Sequence, residues 1–261
     1  MEITLSGHMT VLIDIGGVHF LTDPWFGPCN LFERILAPRL MPPFMGLDNI
    51  PPIDAMIVSH NHIDHFDSTA IDLARRTGCT VIGSTKAVRR AIKNGIDNTI
   101  ALKHGDEINF KGVSIHAVYA AHPLASDAIG FAVRKSGTIY FSGDTRFSQE
   151  IIDHLSGFHV DIALVQAACA RYPFAGKDGM DLTDLMLFAE KVRPSWTIPL
   201  HLDCIGKWLD PGRGIRIMKE NKEEVSEALR DWTGVMESKS LGAKILEPGK
   251  PWQPVKDSNV R

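Results

Sequence analysis

Ala55-Met56-Ile57-Val58-Ser59-His60-Asn61-His62-Ile63-Asp64-His65 runs from a short apolar, β-prone segment straight into four side chains of metal-ligand type. Zinc and similar divalent ions take imidazole nitrogen and carboxylate oxygen, and a site left partly open turns water into a nucleophile near neutral pH. Side chains of an extended segment repeat every second residue, so His60 and His62 can grip one ion. Asp64 and His65 come where the chain changes direction, before a predicted helix capped by Asp67 or Ser68, and can face a second ion. One loop histidine is usually a surface or core group; this cluster at a strand end reads as a metal-dependent hydrolytic centre.

Two ions need further donors, and three other predicted strand ends offer them. His122 follows the alternating run Val113 to Val118 and precedes Pro123, which favours extended or turn backbone. Asp144 lies in Phe141-Ser142-Gly143-Asp144-Thr145 after a β-prone stretch, and His201 ends the apolar segment Ile198-Pro199-Leu200. A sheet presents such side chains at one rim on a rigid frame.

The ordered series His-x-His-x-Asp-His, a later histidine, Gly-Asp-Thr and a late histidine resembles the metallo-β-lactamase superfamily, from about Gly7 to Asp203. The resemblance implies that His60, His62 and His122 hold one metal, that Asp64, His65 and His201 hold the other, and that Asp144 bridges them. Asp23, in Phe20-Leu21-Thr22-Asp23-Pro24, matches the family's early aspartate, which orients ligands. The implied cofactors are two divalent ions, Zn2+ first and Mn2+ second, with Asp64 as the catalytic carboxylate. Flavodiiron relatives carry a glutamate at the position of His62, which argues against redox di-iron chemistry here.

Phe20 to Phe26, Pro51-Pro52 and Ile57 to His62 are similar to a narrower branch. It contains L-ascorbate-6-phosphate lactonase-like proteins and relatives of N-acylphosphatidylethanolamine phospholipase D. The implied reaction is cleavage of a lactone or other ester-like bond of a small, in some cases phosphorylated, molecule by a hydroxide shared between two metals. The alternative is a phosphodiesterase or phospholipase D-like hydrolase. A non-catalytic metal-stabilised binding or sensor protein would have lost ligands, and the motif positions are all filled.

With 261 residues, 44% of them hydrophobic, the chain can bury one large core, and residues 1–261 read as a single domain. A net charge of -3 and a pI near 6.4 give no global attraction to nucleic acid, so a small-molecule substrate is expected. No run approaches the roughly 20 apolar residues that span a bilayer, and Met1 to Ser6 lacks signal-peptide character. A cytoplasmic protein without a stable membrane anchor is expected, with Cys29, Cys79, Cys169 and Cys204 as free thiols.

Thr10 to Ile15, Gly16-Gly17 and Val18 to Thr22 read as a hairpin, the glycines supplying its turn. Further strands are predicted at Ala55 to Ser59, Thr80 to Gly83, Thr99 to Leu102, Glu107 to Phe110, Val113 to Tyr119, Gly130 to Arg134, Thr138 to Ser142, Ile162 to Gln166 and Thr197 to Leu200. Helices are predicted at Ser68 to Thr77, Thr85 to Asn94, Gln149 to Leu155, Thr183 to Val192 and Lys222 to Val235, with Gly78 and Gly95 as left-handed caps. Strands interrupted by moderate helices fit an α/β class with two packed sheets and outer helices. The family's four-layer αββα sandwich supplies the specific architecture.

Residues 24–52 break this pattern with seven of the chain's 15 prolines and many large apolar residues. Such an irregular stretch serves as a lid, an apolar substrate pocket or a contact in a homo-oligomer, or else as a packed connection. His8 stands in a Gly-His element near the substrate or behind the ligands. Arg171, with Tyr172, Lys177 and Lys207, can reach an anionic substrate. The polar residues 250–261 form a tail expected to be mobile at its end.

Overall fold

The computed structural model describes residues 1–27, 43–168, 171–172, 176–202 and 222–254. One sheet contains β1 (Glu2–Gly7), β2 (Thr10–Ile15), β3 (Val18–Thr22), β4 (Ala55–Val58), β5 (Thr80–Ser84), β6 (Thr99–Leu102) and β15 (Pro251–Trp252), in the order β15-β1-β2-β3-β4-β5-β6. The other contains β7 (Glu107–Phe110), β8 (Val113–Tyr119), β9 (Ile129–Arg134), β10 (Thr138–Phe141), β11 (Ile162–Gln166) and β14 (Trp196–Leu200), in the order β14-β11-β10-β9-β8-β7. A two-stranded ribbon pairs β12 (Arg171–Tyr172) with β13 (Gly176–Lys177).

Period-two geometry sorts each buried strand onto two faces. Ala55 and Ile57 of β4 meet Ile139 and Phe141 of β10, and Ile162 and Leu164 of β11, in the core between the sheets. Met56 and Val58 turn the other way, onto α1 (Ser68–Thr77) and α2 (Thr85–Lys93). Tyr140, Ala163 and Val165 point outward onto α3 (Gln149–Leu155), α4 (Leu182–Val192) and α5 (Lys222–Ser238). The result is the expected αββα sandwich. Each fully buried Ile, Leu or Phe contributes about 1.5–3 kcal/mol, so these three apolar layers fix the sheets on which the loops stand.

Helix ends follow the local chemistry. Asp67 caps α1 by accepting the Ala70 N–H at 2.7 Å, and Gly78 ends it at φ 67 with its N–H on Ala74 O. Asp181 and Asp184 form a reciprocal capping box on α4. No described helix is long and apolar enough to cross a membrane.

Strand β1 is an addition to the sequence reading, and so are the short β12, β13 and β15. Trp25 is fully buried at the start of the proline-rich stretch, whose residues 28–42 lie outside the described residues. Cys29, Cys169, Cys204, Lys207 and residues 255–261 also lie outside them, as do the side chains of Arg171 and Tyr172. Cys79 is a buried free thiol.

Candidate metal centre

The polar side chains gather just past the C-terminal ends of strands. His8 follows β1, Asp23 follows β3, His60 comes two residues after β4, and His201 follows β14. His122 and Asp144 each come three residues after their strands, β8 and β10. Strands β1 and β3 are both antiparallel to β2, and β4 is parallel to β3, so their ends share one rim. The same holds for β8 and β10 on either side of β9, and for β10, β11 and β14, which are parallel. Topology thus brings these loops to one rim of each sheet, and contacts such as the Ile129 N–H on Ser59 O at 3.1 Å bring the two rims together.

Backbone strain concentrates there as well. His8, Asp23 and His201 hold φ of 57, 32 and 65, a region that costs a non-glycine residue roughly 1–3 kcal/mol. The His201 N–H donates to His8 O at 3.1 Å, clamping two of these turns together.

A first group contains His60, His62 and His122, whose potential ligand atoms lie within 4.8 Å of one another. His60 Nε2 is 2.8 Å from His62 Nδ1, which is 3.3 Å from His122 Nε2. The network assigns the tautomers. Ser59 Oγ donates to Asp23 Oδ2 at 2.5 Å and so accepts from His60 Nδ1 at 2.9 Å, leaving the Nε2 lone pair inward. His122 Nδ1 likewise donates to Asp178 Oδ1 at 3.0 Å. Three ring nitrogens thus converge where one hydrogen bond cannot serve them all, and a cation can.

His8, Asp64, His65 and His201 form a second group within the same 4.8 Å limit. His65 Nδ1 donates to Asp23 Oδ2 at 2.7 Å, so its Nε2 lone pair faces Asp144 Oδ2 at 3.3 Å and Asp64 Oδ2 at 3.9 Å. His201 Nε2 is 3.7 Å from Asp144 Oδ1, and His8 Nε2 is 3.6 Å from Asp64 Oδ2. Among the described residues, the buried His65 Nε2 and Asp144 Oδ1 have no hydrogen-bond partner. A lone pair facing carboxylates in a buried place calls for a proton or a metal, so this donor set also fits a divalent cation.

The electrostatics express the same demand. Burial pushes His65 down, but Asp144, Asp64 and Asp23 outweigh it and hold its pKa well above the usual imidazole value. Burial lowers His60 and His62, and it lowers His201 to about 4 with the help of neighbouring His8. Burial opposes ionisation of Asp64 and Asp144, yet His65 keeps both well below the ordinary carboxylate range. The Asp64 side chain retains 24% exposure while His65 retains none, so water reaches this cluster from the Asp64 side.

All seven ligand-type residues singled out in the sequence meet here, with Asp23 beneath them and His8 against the second group. The ring of His8 packs 3.7 Å from that of His201 and 4.6 Å from that of Trp25. Sequence reasoning missed Asp178, and it gave no role to Ser59, which stands beside His60. A serine directly before the motif is a local signal; Lys177-Asp178-Gly179 carries none.

The model of the Beta-lactamase superfamily domain matches residues 19–202. A UPF0173 metal-dependent hydrolase of Carboxydothermus hydrogenoformans is 27% identical over 236 residues, which cover 83% of this chain and 94% of that protein. The N-acyl-phosphatidylethanolamine-hydrolyzing phospholipase D 1 of Caenorhabditis elegans is 44% identical over 69 residues, 26% of this chain and 19% of that protein. A solved structure described as a possible metal-dependent hydrolase from Veillonella parvula superposes with a TM-score of 0.78 at 18% identity, covering 97% of this chain and 98% of that one. With the family match spanning most of its length and the αββα fold, the chain belongs to the metallo-β-lactamase superfamily of metal-dependent hydrolases.

Proposed function

We propose that the protein hydrolyses a lactone or other ester-like bond of a small molecule, carrying a phosphate in one version of this reading, with two divalent cations. His60, His62 and His122 hold one cation, Asp64, His65 and His201 hold the other, and Asp144 serves both. The observation that carries this reading is the pairing of two donor groups through buried groups that share partners. Asp144 lies within reach of His65 and His201, and Asp23 joins His65 to His60 through Ser59.

Zinc is the first choice for such nitrogen and oxygen donors, and manganese the second. When bound, these cations acidify water and stabilise the negative charge that builds on a carbonyl or phosphoryl oxygen. The chain's own residues do the rest. Asp23 and Ser59 fix which nitrogen of His65 and His60 faces inward, so the donors are aimed before any ion arrives. Proton return to the leaving oxygen falls to water or to Asp64, whose partly exposed side chain stays a carboxylate until it takes that proton.

The short match to the worm phospholipase, higher in identity over its 69 residues, supports a second reading, in which the scissile bond is a phosphodiester. A small-molecule substrate fits the net charge of -3 better than nucleic acid does. A cytoplasmic setting and a homo-oligomeric assembly complete the proposal. The test joins metal quantification to a panel of lactones and phosphodiesters, with zinc and manganese reconstituted separately. Metal-dependent turnover of one class is expected. A chain that binds no metal, or turns over neither class with both positions filled, would overturn it.

A further inference from the structure

We propose that Asp178 is a positioning residue for the first donor group: it fixes the aim of His122 and offsets the charge of the cation held there. This rests on the reading of His60, His62 and His122 as ligands. The first group is made of three imidazoles, whereas Asp64 stands within the second, so the first cation has no carboxylate of its own beyond the Asp144 that serves both. A divalent charge in a buried place, met by three neutral rings and one shared carboxylate, calls for a further anion nearby. Asp178 is that anion, one hydrogen bond away.

The geometry is specific. His122 Nδ1 and Asp178 Oδ1 are 3.0 Å apart, and their side chains are 2% and 3% exposed. A carboxylate accepting the outer N–H of a ligating imidazole fixes its tautomer and makes the inner nitrogen a better donor. Neighbouring Lys177 is engaged with Asp181 and Asp184, so it does not compete with His122 for Asp178.

The turn that carries Asp178 is itself anchored to the site. A β-carbon on Gly179 would lie 2.3 Å from the Gln166 amide, and Gln166 Oε1 accepts the Met180 N–H at 3.0 Å. The Gln166 N–H in turn donates to Ser142 Oγ at 2.9 Å, two residues before Asp144. A buried glutamine at the end of β11 thus links the Asp178 turn to the Asp144 loop, and both stay in register with the first group.

The test uses the full chain with cobalt(II) as the probe metal, in a His201→Ala background that removes a donor from the second group. Asp178→Asn, Asp178→Ala and Asp178→Glu are compared by cobalt affinity, by the visible ligand-field bands, and by melting of the metal-free protein. Asn is expected to melt near the parent temperature yet bind cobalt about 10- to 100-fold more weakly, with shifted bands. Ala should fall further and Glu should recover part of the loss. Parental affinity and bands in both Asn and Ala, or weaker binding explained entirely by lower metal-free stability, would overturn the role of Asp178 alone. Failure of the wild-type chain to bind cobalt would overturn the ligand reading beneath it.

Discussion

A β-carbon on Gly143 would lie 2.5 Å from Ser59 Cβ, because the loop after β10 crosses against the loop after β4 at that point. Gly143 precedes Asp144 and Ser59 precedes His60, so this tight contact between the two sheets' loops lies beside the donor groups. Gly143 also holds φ 56, where an L side chain is strained. Gly143→Ala therefore faces both a backbone cost of about 1–3 kcal/mol and a displaced Ser59. Urea unfolding of the metal-free variant should show at least that loss, and metal affinity should fall further than stability does. Wild-type values for both would mean that the loops separate freely.

Asp23 is the buried acceptor on which both donor groups lean. Its carboxylate takes the Ser59 N–H at 2.6 Å, Ser59 Oγ at 2.5 Å and His65 Nδ1 at 2.7 Å. Burial pushes the Asp23 carboxyl up, and these donors oppose that push. An amide there would set an NH2 against one of them. Asp23→Asn should lose about 1–3 kcal/mol for the unsatisfied donor and weaken metal at both positions. Chemical denaturation and metal titration on one preparation would check it; a loss confined to one position would remove Ser59 from the relay.

Apart from β1, the longer strands were legible as apolar or β-prone runs, Val113 to Val118 by alternation, and the centre was legible in His60 to His65, because these signals lie within a few adjacent residues. Asp67 was legible for the same reason, as a capping residue four places before Ile71. Asp178 was not, since its partner His122 and the Gln166 that holds the following residues are distant in the chain, and an aspartate beside lysine and glycine reads as a surface turn. Pro251–Trp252 was missed similarly: two residues become a strand only because Ile3 and Thr4 offer an open edge. Tertiary contact, not local preference, decides such places.

Asp67 also ties the start of the proline-rich stretch to the helix after the motif. Its Oδ1 caps α1 at Ala70, while its Oδ2 accepts the N–H groups of Phe26 and Gly27 at 2.9 and 3.1 Å. Loss of a cap costs about 0.5–2 kcal/mol, and here two more backbone donors lose their partner. Asp67→Ala should thus destabilise by about 2–4 kcal/mol, with faster amide exchange at Phe26 and Gly27 than elsewhere. Uniform exchange changes would indicate general loosening and sever this link.

As pH rises above neutrality, the metal-free and metal-loaded proteins should respond in opposite ways. His65 has a raised folded pKa, so its contribution is fully present below the unfolded value of about 6.5 and is lost as pH rises through the folded pKa. His60, His62 and His201 have lowered pKa values, so they favour the folded state at neutral pH. Below about 6.5 the unfolded chain takes up protons that the folded chain refuses, and stability falls. For His201 that loss continues to about 4. The depressed Asp64 and Asp144 add to the fall at still lower pH. Each proton of difference changes stability by about 1.4 kcal/mol per pH unit, so the acid limb should be the steeper one. A cation facing His65 Nε2 must displace the proton that the surrounding carboxylates hold there. Metal affinity should therefore rise with pH while the metal-free protein weakens, and the stability gap between loaded and chelated samples should widen. Calorimetry in buffers of different ionisation enthalpy should register the released proton. A gap that stays constant from roughly pH 6 to roughly pH 9 would mean that no proton is displaced, and His65 would have to leave the donor set.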